Sequence, residues 1–102
     1  GETHASFLKE KKNSLVGPRK MSSSVVGAAV LRGDEAAVRS WLERGGRANT
    51  TREHGEVIGI TLLMDAAFQG HERVAALLLQ HGAQVNLQDS NGWTALILAA
   101  VQ

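Results

Sequence analysis

The chain has 102 residues, of which 43% are hydrophobic and 21% charged, values that suit one small folded domain. The formal net charge of +1 and the aromatic content of 4% argue against a nucleic-acid partner, which requires a basic surface or stacking rings. The absence of Cys excludes a disulfide framework and thiolate metal sites. Because the sequence shows neither an apolar stretch of about 20 residues nor an apolar leader, we expect an intracellular protein of the cytoplasm or nucleus with no membrane span.

The first 23 residues are more basic and polar than the rest of the chain. Pro18, the only proline, follows Gly17 and marks a turn after this segment. Apolar residues within it would line one side of a helix over about residues 3–15, which is marginal without a surface to pack on. Residues 1–23 are therefore interpreted as a basic arm, either flexible or docked on the rest of the chain, or as a vector-derived leader. The basic and apolar residues concerned are Lys9, Lys11, Lys12, Arg19, Lys20, Phe7, Leu8, Leu15 and Val16.

From Ser24 onward, short Ala-rich and Leu-rich segments are separated by glycines. Ser24 is a suitable N-cap for the first apolar run, and several glycines fall where a helix ends on a left-handed residue. None of the segments alternates polar and apolar residues as a strand does, so the predicted fold class is all-α. The pattern predicts helices of about two turns over residues 25–31, 36–43, 62–68, 73–80 and 95–102.

An internal repeat is the strongest signal in the sequence. Residues 59–67 (GITLLMDAA) align with residues 92–100 (GWTALILAA) at an offset of 33. Residues 29–33 (AVLRG) align with residues 66–70 (AAFQG) at an offset of 37, so the first unit carries four extra residues between Asn49 and Thr61. A period near 33 residues with two short helices and a turn is typical of units that bury their apolar faces by stacking.

The repeated residues resemble the ankyrin family. Residues 59–64 and 92–97 stand where that family has G-x-T-P-L-H, and residues 66–71 (AAFQGH) match its A-A-x-x-G-H. Residues 74–86 match its V-x-x-L-L-x-x-G-A-x-V-N. The resemblance implies a solenoid of stacked helix-turn-helix units with β-hairpin-like connecting loops. It divides the chain into an N-terminal capping repeat with an extended loop (24–58), a full repeat (59–91) and a partial repeat (92–102).

The resemblance also assigns structural roles. Thr61 and Thr94 are expected to cap the first helix of their repeats, and Asn49 and Asn86 to hold the loops through local backbone bonds. The family's Pro and His are absent from the tetrapeptide: Leu62 and Ala95 replace the Pro, and Met64 and Ile97 replace the His. We therefore expect less rigid ties between adjacent loops. In the capping repeat, a polar outer face is expected from Arg32, Arg39, Glu43 and Arg44.

The sequence shows only weak catalytic or metal-binding patterns. The sequence contains no phosphate-binding glycine loop, no G-x-S-x-G elbow and no Cys for a Cys–His pair. His71 occupies the G-H position of the repeat and His81 precedes a helix-ending glycine, so both are interpreted as structural. The sequence predicts a protein that is not an enzyme and uses no cofactor or metal.

A protein or peptide partner is the function that the resemblance implies. In the family, the hairpin tips and the inner faces of the first helices form the concave binding surface, and an exposed Trp beside Ile is typical of an interface hot spot. Two alternatives remain open: a regulatory or targeting segment of a larger enzyme or channel, and self-association through Leu96, Leu98 and Ala100, which the partial repeat leaves uncovered. The predicted contact residues are Leu31, Arg32, Arg52, Glu53, Glu56, Ile58, Ile60, Phe68, Gln69, Ser90, Asn91 and Trp93.

Overall fold

A computed structural model describes residues 23–101. These residues form two helical pairs, a β-hairpin that joins the first pair to the second, and a fifth helix. Helices α1 (Ser23–Leu31) and α2 (Glu35–Glu43) precede strands β1 (Thr51–His54) and β2 (Val57–Thr61). Helices α3 (Leu62–Gln69), α4 (Glu72–Gln80) and α5 (Ala95–Ala100) follow. All five helices predicted over these residues are confirmed, whereas the helix predicted over residues 3–15 lies outside the described residues. Because α1 already begins at Ser23, the prediction that Ser24 is its N-cap is wrong.

Threonine caps start the helices that follow the connecting loops. Thr61 Oγ1 accepts a hydrogen bond from the Met64 backbone N at 3.1 Å, and Thr94 Oγ1 accepts one from the Ile97 backbone N at 3.2 Å. Each bond satisfies an amide that has no partner within the helix, so both predicted caps are confirmed. Met64 Sδ also accepts from the Thr61 backbone N at 3.3 Å, which completes a reciprocal cap through a thioether.

Helix α3 lies at the centre of the core, where it packs against α1, α4, α5 and β2. Ala66 on α3 is fully buried, and its small side chain permits the close approach of the neighbouring helices. On α4, Leu77 and Leu78 are buried while Leu79 is exposed. Apolar side chains with less than 2% exposure fill the layers between helices: Val26, Val30, Val38, Leu62, Met64, Val74 and Leu78.

His71 links the two helical pairs, as its predicted structural role requires. Its Nε2 lies 2.9 Å from the Leu31 carbonyl oxygen at the end of α1. Its ring lies against Gly33, where the backbone has a φ of 74° and where an added Cβ would come within 2.8 Å of Nδ1. Glycine is therefore required at position 33 both by the left-handed backbone and by the ring above it.

The extra residues of the first loop form an antiparallel hairpin. Thr51 lies opposite Thr61, Arg52 opposite Ile60 and His54 opposite Val57, with a bulge between the last two pairs. The β-branched residues of β2 favour a strand, and the turn passes through Gly55 at a φ of 60°. The loop that the sequence predicts to be long is thus an ordered finger that projects from the helices.

Asn49 acts over a longer distance than predicted. Its Oδ1 accepts a hydrogen bond at 2.8 Å from the backbone N of Gln84, which is 35 residues further along the chain. The expectation of a local bond is wrong for this residue because the next repeat brings its own loop alongside. Asn49 therefore fastens one repeat to the next instead of shaping its own turn.

Candidate partner-binding groove

An apolar groove of about 400 Å³ lies between the hairpin, helix α3 and the loop that leads to α5. We call it the aromatic groove because Phe68 from α3 and Trp93 from the loop both line it, with 45% and 39% of their surfaces exposed. Single exposed apolar side chains are ordinary, but two large rings in one concavity mark a site where a ligand gains buried area. The other lining residues are Arg52, His54, Val57, Ile60, Met64, Asp65, Asp89, Asn91 and Leu98.

An ion pair fastens the hairpin to the helix at the floor of this groove. Arg52 on β1 donates from Nε to Asp65 Oδ2 at 2.7 Å and from Nη2 to Asp65 Oδ1 at 2.8 Å. Asp65 is only 6% exposed, so its carboxylate depends on this bidentate partner for the hydrogen bonds that water would otherwise supply. The hydrogen bond that Arg52 donates to Asp65 raises the pKa of Arg52 above its ordinary value, and the pair fixes the strand against α3.

Asp89 shapes the loop that carries Trp93. Its Oδ1 accepts from the backbone N of Asn91 at 2.9 Å and from the backbone N of Trp93 at 3.0 Å. The Asp89 backbone N in turn donates to the Trp93 carbonyl oxygen at 2.9 Å. These bonds close a short turn, so the indole is presented from a constrained loop.

The tip of the hairpin is tied to the same loop through Ser90. The Ile58 backbone N donates to Ser90 Oγ at 3.0 Å, and the Ser90 backbone N donates to the Ile58 carbonyl oxygen at 2.8 Å. The hairpin and the following loop are therefore neighbouring fingers with a paired contact between them, and the groove has two fixed walls.

One carboxylate of the groove lining, that of Asp89, is not neutralised by a described cation. Among residues 23–101, its Oδ2 accepts no hydrogen bond. Arg52 is the one cation of the described lining, and Asp65 already neutralises it. The groove thus combines a mainly apolar surface with a negative charge at one point of its rim, Asp89.

Other kinds of site are not evident in the described part of the chain. Across residues 23–101, no three His, Asp or Glu side chains come together in a group that could hold a metal ion. No described helix has the length and apolar character needed to cross a membrane.

Comparisons with known proteins agree with the repeat fold described above. The family model for ankyrin repeats (three copies) matches residues 26–102. The chain belongs to the ankyrin-repeat family. It is 38% identical over 74 residues to potassium channel AKT1 of Oryza sativa subsp. japonica, which covers 72% of this chain and 8% of the channel.

Two further relatives match a similar portion of the chain. M-phase phosphoprotein 8 of Rattus norvegicus is 38% identical over 81 residues, or 79% of this chain and 9% of that protein. The 2-5A-dependent ribonuclease of Homo sapiens is 40% identical over 73 residues, or 72% of this chain and 9% of that protein. The chain therefore spans less than a tenth of the length of these relatives. Ankyrin repeats are generally protein-interaction modules and generally non-catalytic.

The structure gathers five of the predicted contact residues of the ankyrin surface into the aromatic groove. These residues are Arg52, Ile60, Phe68, Asn91 and Trp93. They come from the hairpin, helix α3 and the following loop, as expected for a surface built from fingers and first helices. Ile58 and Ser90 lie at the rim, where they bond to each other.

The remaining predicted contact residues lie elsewhere. Leu31 and Glu53 line a second concavity of about 390 Å³ between α1 and β1. Arg32 is exposed and its Nη2 pairs with Asp34 Oδ2 at 3.0 Å, while Glu56 and Gln69 are exposed outside the described lining of both concavities. The structure thus divides the predicted contact residues among the aromatic groove and its rim, a second concavity, and three positions outside both.

Several lining residues were not among the predicted contacts. Asp65 and Leu98 are repeat equivalents at an offset of 33, and both lie on the groove side of their helices. That shared register is a signal that could have found them. His54 and Val57, which the resemblance places in the extended loop and at the second hairpin tip, also line the groove.

Proposed function

We propose that this ankyrin-repeat chain is a non-catalytic interaction module that binds a protein partner through the aromatic groove and the adjacent hairpin tip. The observation that carries the proposal is the exposure of Phe68 and Trp93 in one concavity whose surface is mainly apolar. Aromatic side chains in a partly enclosed pocket are the usual anchors of protein interfaces. The two fixed fingers reduce the ordering cost of binding, because their backbone contacts already exist.

The experiment compares partner capture by the wild-type chain and by Trp93→Ala, with affinity measured by calorimetry for the captured protein. We expect Trp93→Ala to weaken binding about tenfold or more, as for an interface anchor, without unfolding the stack, since the indole is 39% exposed. Leu79→Ala is the matched control, because Leu79 is 44% exposed but lies outside the groove. Equal affinity for wild type and Trp93→Ala would remove the groove from the binding surface.

A second candidate function is a regulatory or targeting segment within a larger enzyme or channel. Its support is that relatives named as a potassium channel and a ribonuclease match this chain over less than a tenth of their lengths. Determining the complete coding sequence tests it. A catalytic or channel domain in the same reading frame supports this candidate, and its absence removes it.

Self-association is a third candidate, carried by the exposed face of α5. Leu96 is 71% exposed, whereas Leu63, its equivalent one repeat earlier, is 3% exposed. Because Leu96 is exposed at a position that is buried in the preceding repeat, a second copy of the chain that packs on α5 would bury its side chain. Sedimentation velocity tests it: a dimer that Leu96→Glu dissociates supports self-association, and a monomer at all concentrations refutes it.

A further inference from the structure

We infer that the aromatic groove recognises a peptide in which a bulky apolar side chain, packed against Phe68 and Trp93, is flanked by a Lys or Arg that pairs with Asp89. The inference rests on the proposed function, since it names the class of partner for the same groove. Three features carry it: the size of the groove, the neutralisation of its one described cation, and the free carboxylate oxygen beside the indole.

The volume of the groove limits how many side chains of a peptide it can accept. A concavity of about 400 Å³ is near the lower end of ligand pockets. It suits one or two side chains of an extended peptide. Phe68 and Trp93 supply aromatic walls, and Ile60 and Leu98 supply aliphatic surface, so the anchor must be apolar.

Arg52 cannot serve as a receptor for a negatively charged partner. Two of its nitrogens already donate to Asp65, at 2.7 and 2.8 Å, and Asp65 is buried. A carboxylate or phosphate on the partner would have to compete with this bond and leave Asp65 without its charge-assisted donors. The described cation of the groove is therefore part of its framework.

The Asp89 carboxylate, unlike the Arg52 guanidinium, has an atom available to a partner. Its Oδ1 is occupied by two backbone amides, whereas Oδ2 accepts no hydrogen bond from residues 23–101 and the side chain is half-buried beside Trp93. A cationic side chain next to the apolar anchor gains a direct partner at Oδ2 and a favourable local field.

The local charge also discriminates against other ligands. The whole chain has a formal net charge of +1, so the negative charge at the rim is a property of this groove and not of the protein as a whole. Screening confines the effect to residues within about 8 Å at physiological ionic strength. An acidic peptide or a nucleic-acid phosphate placed here would lie near the like charge of Asp89, and the repulsion would disfavour binding.

Selection from a random peptide library tests the inference without a known partner. A phage-displayed library of 12-residue random peptides is selected on the immobilised full chain, with a parallel selection on Phe68→Ala. Phe68 is 45% exposed, so its truncation spares the core, and circular dichroism confirms that the variant is folded. We expect peptides enriched on wild type, but not on Phe68→Ala, to share a bulky apolar residue next to Lys or Arg.

Calorimetry on the most enriched peptide then measures the charge contribution. Asp89→Asn is the matched variant, because the amide oxygen can keep both backbone hydrogen bonds while the charge is removed. We expect Asp89→Asn to lower the affinity for the Lys- or Arg-containing peptide about two- to fivefold, as for a partly exposed ion pair. The affinity for a control peptide with Gln in place of the cation should not change.

The outcomes separate the inference from the proposed function. Enriched peptides that require Phe68 but are acidic or indifferent to charge overturn the inference and leave the binding groove in place. The same holds if Asp89→Asn does not change the affinity of the cationic peptide. If no peptide is enriched on wild type over Phe68→Ala, the inference fails, whereas the proposed function is decided separately by partner capture with Trp93→Ala.

Discussion

Removal of the Arg52 guanidinium should destabilise the fold more than removal of both partners of its ion pair. Asp65 is 6% exposed, and the Arg52 side chain is 33% exposed. Arg52→Met leaves the Asp65 carboxylate buried without its donors, and loss of charge-assisted hydrogen bonds costs about 1.5–3 kcal/mol in the free energy of unfolding. The full cost of breaking a buried pair, about 3–5 kcal/mol, is an upper limit because water reaches the arginine.

The double variant Arg52→Met/Asp65→Leu should recover most of that loss. Leu98 occupies the position equivalent to residue 65 in the next repeat, so a leucine fits this place in the stack. Asp65→Leu alone should cost less than Arg52→Met, because a partly exposed guanidinium can turn to water. We therefore expect a coupling free energy of about 2 kcal/mol from the double-mutant cycle.

Urea denaturation followed by far-ultraviolet circular dichroism measures the four proteins of the cycle. With a slope of about 1 kcal/mol per molar urea for a small domain, Arg52→Met should lower the midpoint by roughly 2 M. The double variant should lie closer to wild type than Arg52→Met does. A coupling free energy within about 0.5 kcal/mol of zero, the usual limit of additivity, would show that the pair does not fasten the hairpin to the helix.

Three further changes test other parts of the fold. Thr61→Val should cost about 1 kcal/mol of stability because the Met64 amide loses its cap, and an unchanged urea midpoint would refute that role. Gly46→Ala should cost about 1–3 kcal/mol through overpacking, because the new Cβ overlaps the Trp41 ring; a variant as stable as wild type in thermal melts would contradict this. Hydrogen bonds from the Ala37 amide and Arg32 lower the pKa of Asp34 below 3.8, so its charge stabilises the fold above that pH and the effect is lost as pH falls through the lowered pKa. Asp34→Asn, which keeps a capping side chain, should be less stable than wild type at pH 6, with a difference that shrinks below about pH 4; a difference independent of pH would count against the charge.

The sequence by itself determined the repeat and most of the helices. Glycines at helix ends, threonines at helix starts and the offset of 33 residues are local signals, so they locate elements without knowledge of their neighbours. Phe68 and Trp93 were predicted as contact residues for a related reason, since the repeat places them at the end of a first helix and at a loop tip. The two side chains are exposed in one concavity, and their contact with a partner stays a prediction.

Only the tertiary structure decided which side chains bond across repeats. The Arg52–Asp65 pair spans 13 residues and depends on the register of a bulged hairpin, which no local pattern fixes. Asn49 bonds to Gln84 across 35 residues because stacking brings two loops together, although its side chain alone predicts a local turn. Repeat sequence therefore specifies the helices and their order, while the wall of the groove and the charge left at its rim arise from contacts between repeats.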